Sequence, residues 1–352
     1  MISIILTYRN RDLTIVEKCL DSLMNQTNSS FKLKVVNYGS NEYYSKALET
    51  LLVDYFFCEL VYVSSEFQLW NKSKAINIAL KTCEHPYFFV GDIDMIFRND
   101  FIEKMYGLSK EDEVTYFQVG FLTKEESQKE KPFNDYKLKH ISGKEATGMT
   151  LYPTAVLKEL NGYDEFYHGW GAEDSDVHER LRNLNIKVNF YTEETLLLHQ
   201  WHSRSYRLKY SGEPFHSTLE QINSKYLEQT IETNKIKANV KFQWGLLQKK
   251  IYFDDAINLQ LTNEKTEVNA LLNGTFNDIK NKNLVLSISR SKDFKSLKTI
   301  IKKGLGKKHK TFYCFQEVND LLLMAIISNY RTCYYEYKWD RRNEKITAKI
   351  AL

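Results

Sequence analysis

Cysteine is scarce and scattered in this 352-residue sequence. The five cysteines are an odd number, they stand far apart, and none forms a Cys-x-x-Cys pair. Such a set argues against a disulfide framework and fits reduced thiols. We therefore expect a cytoplasmic protein.

Long hydrophobic runs are also missing near the start of the chain. The run Ile2–Leu6 is too short for a signal-peptide core or a membrane span, and no basic residues precede it. We expect it to be a buried strand. Apolar residues make up 43% of the sequence and charged residues 27%, the balance of a globular protein. At this length, two domains are expected.

Charge is divided unevenly along the chain. Residues 241–352 carry 21 Lys and Arg against 11 Asp and Glu, a net +10, so residues 1–240 sum to −6 within the total of +4. We predict a catalytic domain at 1–240 and a basic accessory domain of unknown role at 241–352. The acidic first part argues against nucleic acid as a partner of the catalytic face, and the basic part suggests an anionic partner.

One segment of the basic part suggests a particular partner. Within residues 295–310, Leu297, Ile300 and Ile301 stand at helical spacing among lysines, the pattern of a basic helix in peripheral contact with a membrane. The alternative, which the shortness of the apolar stripe favours, is that these three residues pack into the core of their own domain.

The pattern of apolar runs predicts an α/β fold. Runs rich in β-branched and aromatic residues predict strands, and helical spacing between them gives β-α-β alternation, hence a mostly parallel, Rossmann-like sheet flanked by helices. A smaller α+β unit should follow near the C-terminus. Residues 123–140 are predicted to be an exposed loop, and residues 203–214 a polar segment able to close over a ligand. The predicted strands are 2–8, 33–38, 60–63, 87–90 and 114–121.

Two acidic segments carry candidate chemistry. Asp92 and Asp94 follow the strand 87–90, where alternation along an extended backbone would put both carboxylates on one side, able to hold a hard cation and a diphosphate. Solvated turn aspartates are the alternative. In Gly169–Asp176, the acids Glu173 and Asp174 begin a helix; they could merely complement its dipole, but a carboxylate beside Trp170 suits a base acting on a sugar hydroxyl.

The segment His199-Gln200-Trp201-His202 offers metal ligands. Residues three apart in a strand point to opposite faces, so both histidines can coordinate one ion only if the strand ends between them. One histidine ligand is the simpler expectation.

Two further segments could contact a nucleotide. Thr7-Tyr8-Arg9-Asn10-Arg11 ends the first strand, where the two arginines can reach phosphates and Tyr8 can stack on a base. Residues 70–77 open a helix on which Lys74 would neutralise phosphate charge. For the first segment, solvated helix-start arginines are the alternative.

In this order, the segments resemble the β-1,4-galactosyltransferase family and its relatives among bacterial chondroitin-type polymerases. The family's Arg-Asn-Arg matches Arg9-Asn10-Arg11, and its Phe-Asn-Arg-Ala-Lys-Leu-Leu-Asn helix resembles residues 70–77. Its Gly-Trp-Gly-Gly-Glu-Asp resembles residues 169–174, with Ala172 replacing the last glycine. Its Asp-Val-Asp, Asn-Gly-Phe and Met-x-x-His-Ser-Arg resemble residues 92–94, 161–163 and 199–204. The resemblance covers about residues 1–215.

The resemblance implies a GT-A fold and an inverting, metal-dependent glycosyltransferase that uses a UDP-sugar. Asp94 and His202 would bind Mn²⁺ (or Mg²⁺), with His199 standing where the animal enzymes have methionine. Asp174 would be the general base. In the remaining implied roles, Asp92 lies near the nucleotide ribose or the metal, Lys74 or Arg9 stabilises the departing diphosphate, and Glu173, Trp170 and Gly171 position the sugars.

The departures narrow the expected substrates. The family's disulfides and membrane anchor are absent, which favours a bacterial cytoplasmic enzyme acting on a glycan or lipid-linked glycan precursor of a surface polysaccharide. Residues 144–147 do not align with the family residue that separates galactose from N-acetylgalactosamine, so either donor sugar is open.

Three other functions remain as alternatives. A catalytically inactive, glycan-binding scaffold would have lost the base or the metal ligands, yet Asp94, Asp174 and His202 are present. A nucleotidyltransferase needs a glycine-rich loop near its first strand, and Thr7–Asp12 contains no glycine. A retaining transferase is opposed by the Trp-Gly-Ala-Glu-Asp segment.

Overall fold

The computed structural model describes residues 1–143, 147–203 and 213–352, and it divides into two compact units. The larger unit continues beyond the boundary predicted after residue 240. No helix in the described part of the chain is long and apolar enough to cross a membrane. The larger unit consists of Met1–Val63, Trp70–Leu208 and Glu220–Leu247, and the smaller of Ser64–Leu69, Lys209–Leu219 and Gln248–Leu352.

The larger unit is a mixed α/β structure. Its strands are β1 (Ile2–Tyr8), β2 (Phe31–Tyr38), β3 (Cys58–Val63), β4 (Tyr87–Asp92), β5 (Met95–Phe97), β6 (Glu113–Phe117), β7 (Gly120–Leu122), β8 (Leu138–Ile141), β9 (Thr150–Pro153), β10 (Lys187–Tyr191) and β11 (Leu197–His199). Its helices are α1 (Leu13–Met24), α2 (Glu42–Leu52), α3 (Lys72–Lys81), α4 (Phe101–Leu108), α5 (Lys124–Ser127), α6 (Thr154–Glu159), α7 (Glu173–Asn183) and α8 (Leu219–Glu232).

Seven strands form the central sheet in the order β10-β6-β9-β4-β1-β2-β3. Only β9 runs antiparallel to its neighbours, so the sheet is mostly parallel, as predicted. Along β1, Ile4 and Leu6 enter one hydrophobic core and Ile5 enters the other. Both faces of the sheet are therefore covered, which explains why the strand sequences read as continuous apolar runs rather than alternating ones.

A second sheet lies at the edge where the site residues occur, with strand order β5-β11-β7-β8. Residues 114–121, predicted to be one strand, are two: β6 in the central sheet and β7 in this one. Residues 123–140 are mostly exposed, as predicted, but the expectation that they form a loop is wrong, because they contain α5, a 3₁₀ turn at Phe133–Asp135 and most of β8. Their charges satisfy one another locally: Glu126 is buried and pairs with Lys131 at 2.6 Å. Of the predicted closing segment 203–214, residues 204–212 lie outside the described part of the chain.

The smaller unit contains a four-stranded sheet in the order β12-β13-β15-β14. The predicted α+β character is confirmed. Its strands are β12 (Ile257–Thr262), β13 (Asn283–Ser289), β14 (Tyr335–Asp340) and β15 (Lys345–Ala351), and its helices are α9 (Lys265–Ala270), α10 (Phe276–Asp278), α11 (Leu297–Gly304) and α12 (Phe315–Ala325).

A buried ion pair anchors α7 within the larger unit. Arg180 donates from Nε to Asp176 Oδ2 at 2.7 Å, and both side chains are fully buried. The rest of the Arg180 guanidinium donates to the carbonyl oxygens of Leu160 and Gly162, at 3.0 and 2.9 Å. Asp176 also accepts a hydrogen bond from Thr230 on α8 at 2.9 Å. These contacts fix where the first turn of α7 lies.

Replacing Arg180 by methionine should therefore destabilise the protein strongly. Arg180→Met leaves the Asp176 charge buried without its partner, a loss of about 3–5 kcal/mol in the free energy of unfolding. Arg182→Met on the same helix is the matched control, since Arg182 is 63% exposed in its pair with Glu179 and should cost less than about 1 kcal/mol. Denaturant unfolding measures both; equal losses would contradict the anchoring role.

Candidate functional site

Asp94 lies in a turn at the carboxyl end of β4. The strand ends at Asp92, and residues 93–94 form the turn that leads into β5. The extended backbone that was expected to put both carboxylates on one side therefore stops between them. Asp94 pairs with Arg11 at 3.2 Å, whereas Asp92 pairs with Lys72 at 3.1 Å.

Two histidines converge on Asp94. Antiparallel pairing of β11 with β5 sets His199 opposite Met95 and hence beside Asp94. Because β11 ends at His199, strand alternation does not govern His202, and the two ring centroids are 5.3 Å apart. One ligand atom from each of Asp94, His199 and His202 lies within 4.8 Å of the others. The condition under which both histidines can coordinate one ion is met.

The chemistry of this cluster fits a divalent cation. Asp94 Oδ1 is buried and accepts no hydrogen bond from the described residues, so a lone pair is available. His202 Nδ1 lies 3.0 Å from the carbonyl oxygen of Ser203; a carbonyl only accepts, so Nδ1 carries a proton. Nε2 faces Asp94 Oδ2 at 3.2 Å and is therefore the ring nitrogen placed to ligate a metal beside that carboxylate.

Electrostatics keep Asp94 ionised. Burial raises the pKa of its carboxyl, but His199, His202 and Arg11 outweigh that effect and hold the pKa well below its usual range. Carboxylate and imidazole together form a donor set that first-row divalent ions accept.

A second cluster surrounds the ammonium group of Lys72, the first residue of α3. Its Nζ lies 3.1 Å from Asp92 Oδ1, 3.4 Å from Asp174 Oδ2 and 3.9 Å from Glu173 Oε1. Burial alone would lower the pKa of Lys72, but Asp174, Asp92 and Glu173 outweigh it and hold the pKa well above its usual range. One ammonium group thus contacts three carboxylates from two separate segments.

The sequence reasoning selected Lys74 and missed Lys72. Asn71 caps α3 by accepting from the Lys74 backbone N–H at 2.8 Å, which makes Lys72 the first helical residue. Two residues along a helix correspond to a rotation of about 200°, so Lys74 points to the opposite side and is buried. Helix geometry applied to the predicted start of α3 would have separated the two lysines.

Asp174 has the features of a proton acceptor. Its Oδ1 is buried and has no hydrogen-bond partner among the described residues, while Oδ2 faces Lys72. Burial raises the pKa of Asp174 to about 7; Lys72 opposes the increase, and Glu173 and Asp92 add to it. A Cβ at position 148 would lie 3.2 Å from Asp174 Oδ2, so Gly148 leaves the carboxylate its space.

The loop before α7 has an unusual backbone. Gly169 and Gly171 have φ of 72° and 96°, and Ala172, which precedes the helix, has φ of 74°. Gly169 N–H donates to the Trp70 carbonyl at 2.8 Å, tying this loop to the start of α3. Trp170 is 51% exposed, so its indole can contact a ligand.

The first-strand residues divide into different environments. Tyr8 is fully buried in a hydrophobic core and donates its hydroxyl to the Arg11 carbonyl at 3.1 Å. The prediction that Tyr8 stacks on a base is therefore not supported, because the strand's alternation turns its ring inward. Thr7 is buried opposite Asp92, and Arg9 is half-buried. The Arg11 guanidinium contacts Asp94, in the cluster with His199 and His202.

Comparison with known proteins bears on this arrangement. Residues 3–157 match the model of glycosyl transferase family 2, and residues 130–202 match the model described as the N-terminal domain of galactosyltransferase. No curated protein matches the sequence. The crystal structure of S. aureus TarS 1–349 aligns with a TM-score of 0.48 and 15% identity over 68% of this chain and 66% of that chain. GalNAc-T7, solved with UDP, GalNAc and Mn²⁺, aligns with a TM-score of 0.51 and 12% identity over 67% of this chain and 50% of that chain.

The larger unit has the GT-A fold. The resemblance predicted from the sequence motifs is confirmed, because one matched region contains the first strands and Asp92–Asp94 and the other contains Gly169–Asp174 and His199–His202. This chain spans only half the length of GalNAc-T7 and 66% of the TarS chain.

Glycine at position 172, the residue found in the resembled family, should stabilise this protein. The left-handed backbone of Ala172 carries a steric penalty that glycine lacks, so Ala172→Gly should raise the free energy of unfolding by about 0.5–1 kcal/mol. Ala155→Gly in α6, the same change at a helical residue, should lower it by about 0.5–1 kcal/mol. Chemical denaturation distinguishes them; destabilisation by both would contradict strain at 172.

The Asp94 cluster should bind Mn²⁺ directly. Asp94→Asn removes the charged ligand and should weaken Mn²⁺ binding at least about 10-fold, since even indirect ligand supports are worth that much. Electron paramagnetic resonance of free Mn²⁺ measures the affinity. Asp100→Asn, which alters an aspartate paired with Arg98 away from the cluster, should leave it unchanged, and an unaffected Asp94→Asn protein would remove Asp94 from the site.

Proposed function

We propose that this protein is an inverting, metal-dependent glycosyltransferase that moves a sugar from a UDP-sugar to a glycan acceptor. The observation that carries the proposal is the pairing of two unlike clusters in one unit. One holds a carboxylate and two imidazoles suited to a cation, and the other holds Asp174 with one oxygen free to accept a proton.

The cluster of Asp94, His199 and His202 would hold the cation. A bound divalent ion supplies positive charge to a departing nucleoside diphosphate. Mn²⁺ is the proposed ion, and the solved complex of GalNAc-T7 with UDP, GalNAc and Mn²⁺ supports that choice and a nucleotide-sugar donor. Arg11, 3.2 Å from Asp94, orients that carboxylate and adds a second positive charge beside the cluster.

Asp174 would act as the general base. Its Oδ1 accepts the hydrogen bond of an acceptor hydroxyl and takes the proton as that oxygen attacks the anomeric carbon. Attack from the face opposite the nucleotide inverts the configuration of the sugar. Lys72 favours the ionised form of Asp174 by opposing the rise of its pKa, and Glu173 and Trp170 would position the sugars.

The finer assignments are part of the proposal. A donor with galactose or N-acetylgalactosamine follows from the motif resemblance, and so does an acceptor that is a glycan or lipid-linked glycan of a bacterial surface polysaccharide. A cytoplasmic location agrees with the five free cysteines. Asp92, next to Thr7 across the β1–β4 pair, is proposed to contact the nucleotide or the metal, with Arg9 near the phosphates.

The pH dependence of transfer should report Asp174. Because the base must be ionised and its pKa is about 7, kcat/KM should rise as pH increases through about 7 and level off above it. Asp174→Asn should lower the chemical step by roughly 10²–10⁴ and abolish this pH limb, while donor binding persists. Single-turnover transfer, donor affinity and a pH profile measure the three quantities.

Glu179→Gln is the matched control, since Glu179 lies on the same helix but pairs with Arg182; it should leave rate and profile unchanged. If Asp174→Asn loses donor affinity and keeps its chemical rate, Asp174 is a binding residue. Wild-type protein that binds nucleotide sugars and Mn²⁺ but transfers to no glycan would favour the inactive scaffold.

A further inference from the structure

Helix α11 in the smaller unit turns its apolar side chains to solvent. Leu297, Ile300 and Ile301 are 78%, 56% and 58% exposed, and Leu305, at the helix end, is 63% exposed. No residue of α11 is buried. The sequence-based alternative, that these residues pack into the core of their own domain, is therefore wrong.

The orientation of the helix follows from its polar contacts. Ser296 caps α11 by accepting from the Thr299 backbone N–H, and the Thr299 hydroxyl donates to the Asp293 carbonyl at 3.1 Å. Thr299 is half-buried and lies about 160–200° around the helix from Leu297 and Ile301. The side that faces the protein is thus the polar one, the reverse of an ordinary surface helix.

Positive charge borders the apolar stripe. At 100° per residue the four apolar side chains span an arc of about 140°, with Lys298 and Lys302 beyond one edge and Lys303 beyond the other. Lys307 and Lys308 follow, and all five lysines are exposed. Residues 294–316 contain no Asp or Glu. We call the four apolar residues and these five lysines the basic helix surface.

We infer that the basic helix surface docks on an anionic membrane, with Leu297, Ile300, Ile301 and Leu305 inserted at the headgroup boundary and the lysines against anionic lipid headgroups. Charge complementarity favours a membrane as the partner. An anionic bilayer has apolar acyl chains beneath negative headgroups, which matches apolar side chains bordered by lysines. A nucleic acid would engage the lysines and leave four large apolar side chains in water.

This inference does not depend on sugar transfer, so its test uses vesicles rather than activity. Full-length protein should co-sediment with vesicles of phosphatidylcholine mixed with phosphatidylglycerol at low salt and much less with phosphatidylcholine alone. High salt should weaken the binding, because screening shortens the reach of the lysines.

Two variants separate the contributions. Lys298→Gln/Lys302→Gln/Lys303→Gln should lower partitioning by about 100-fold, since each lysine near an anionic surface contributes roughly five-fold. Leu297→Ser/Ile300→Ser/Ile301→Ser, which keeps every charge, should also lower it at least about 10-fold. The matched control is Lys280→Gln/Lys282→Gln/Lys292→Gln, which removes the same charge from exposed lysines elsewhere in the unit and should have little effect.

Three results would overturn the inference. Equal loss in the control triple would mean that net charge alone attracts the protein to vesicles. Full binding by the serine triple, together with equal affinity for a DNA duplex, would point to a nucleic-acid surface. Self-association in sedimentation velocity that the serine triple abolishes, with no vesicle binding by wild type, would show that a second copy covers the helix.

Discussion

The contact between one ammonium group and three carboxylates is the interaction on which the site depends. Asp92, Glu173 and Asp174 come from β4 and the first turn of α7, and without a shared cation their mutual repulsion in a partly buried space would drive these segments apart. Lys72 can serve all three because the Asn71 cap starts α3 at that residue. Two hydrogen bonds join the start of α3 to the segment before α7. The Gly169 N–H donates to the Trp70 carbonyl, and the Asn71 side-chain amide donates to the Glu165 carbonyl at 2.9 Å.

Further along α3, Asn77 extends this docking. It donates to the Tyr163 carbonyl and accepts from the Tyr163 N–H, both at 2.8 Å. Gly162, with φ of 68°, is required because a Cβ there would lie 2.2 Å from Asn77 Oδ1. The Asn-Gly-Tyr segment and the segment Trp70–Asn77, separate in sequence, are therefore two halves of one interface. That interface and the Arg180–Asp176 pair behind α7 hold the proposed base in place.

The sequence predicts those features of the fold that depend on a local pattern of residues. β1 was predicted at its observed bounds because a strand buried on both faces is a local, continuous apolar signal. Side-chain direction was harder. Alternation placed Asp92 and Asp94 together, although β4 ends at Asp92 and Asp94 lies in the turn that follows. It also made two histidine ligands conditional on a strand end between His199 and His202, and the strand does end there. In both cases side-chain direction depends on where a regular element ends, which the sequence pattern locates poorly. The prediction for Tyr8 was wrong for a related reason. Tyr8 is the last residue of β1, so strand alternation still sets its direction and its ring is buried.

Helix α11 marks a different limit. A 3.6-residue apolar stripe looks the same whether it faces a core or a membrane, because periodicity records that one face differs and not what covers it. The shortness of the stripe favoured the core, yet Leu297, Ile300 and Ile301 are exposed. The half-buried residue is Thr299 on the opposite side of the helix, whose hydroxyl donates to the Asp293 carbonyl. A contact between one hydroxyl and one carbonyl leaves no periodic signal in the sequence, so the pattern alone does not reveal which side of α11 faces the protein.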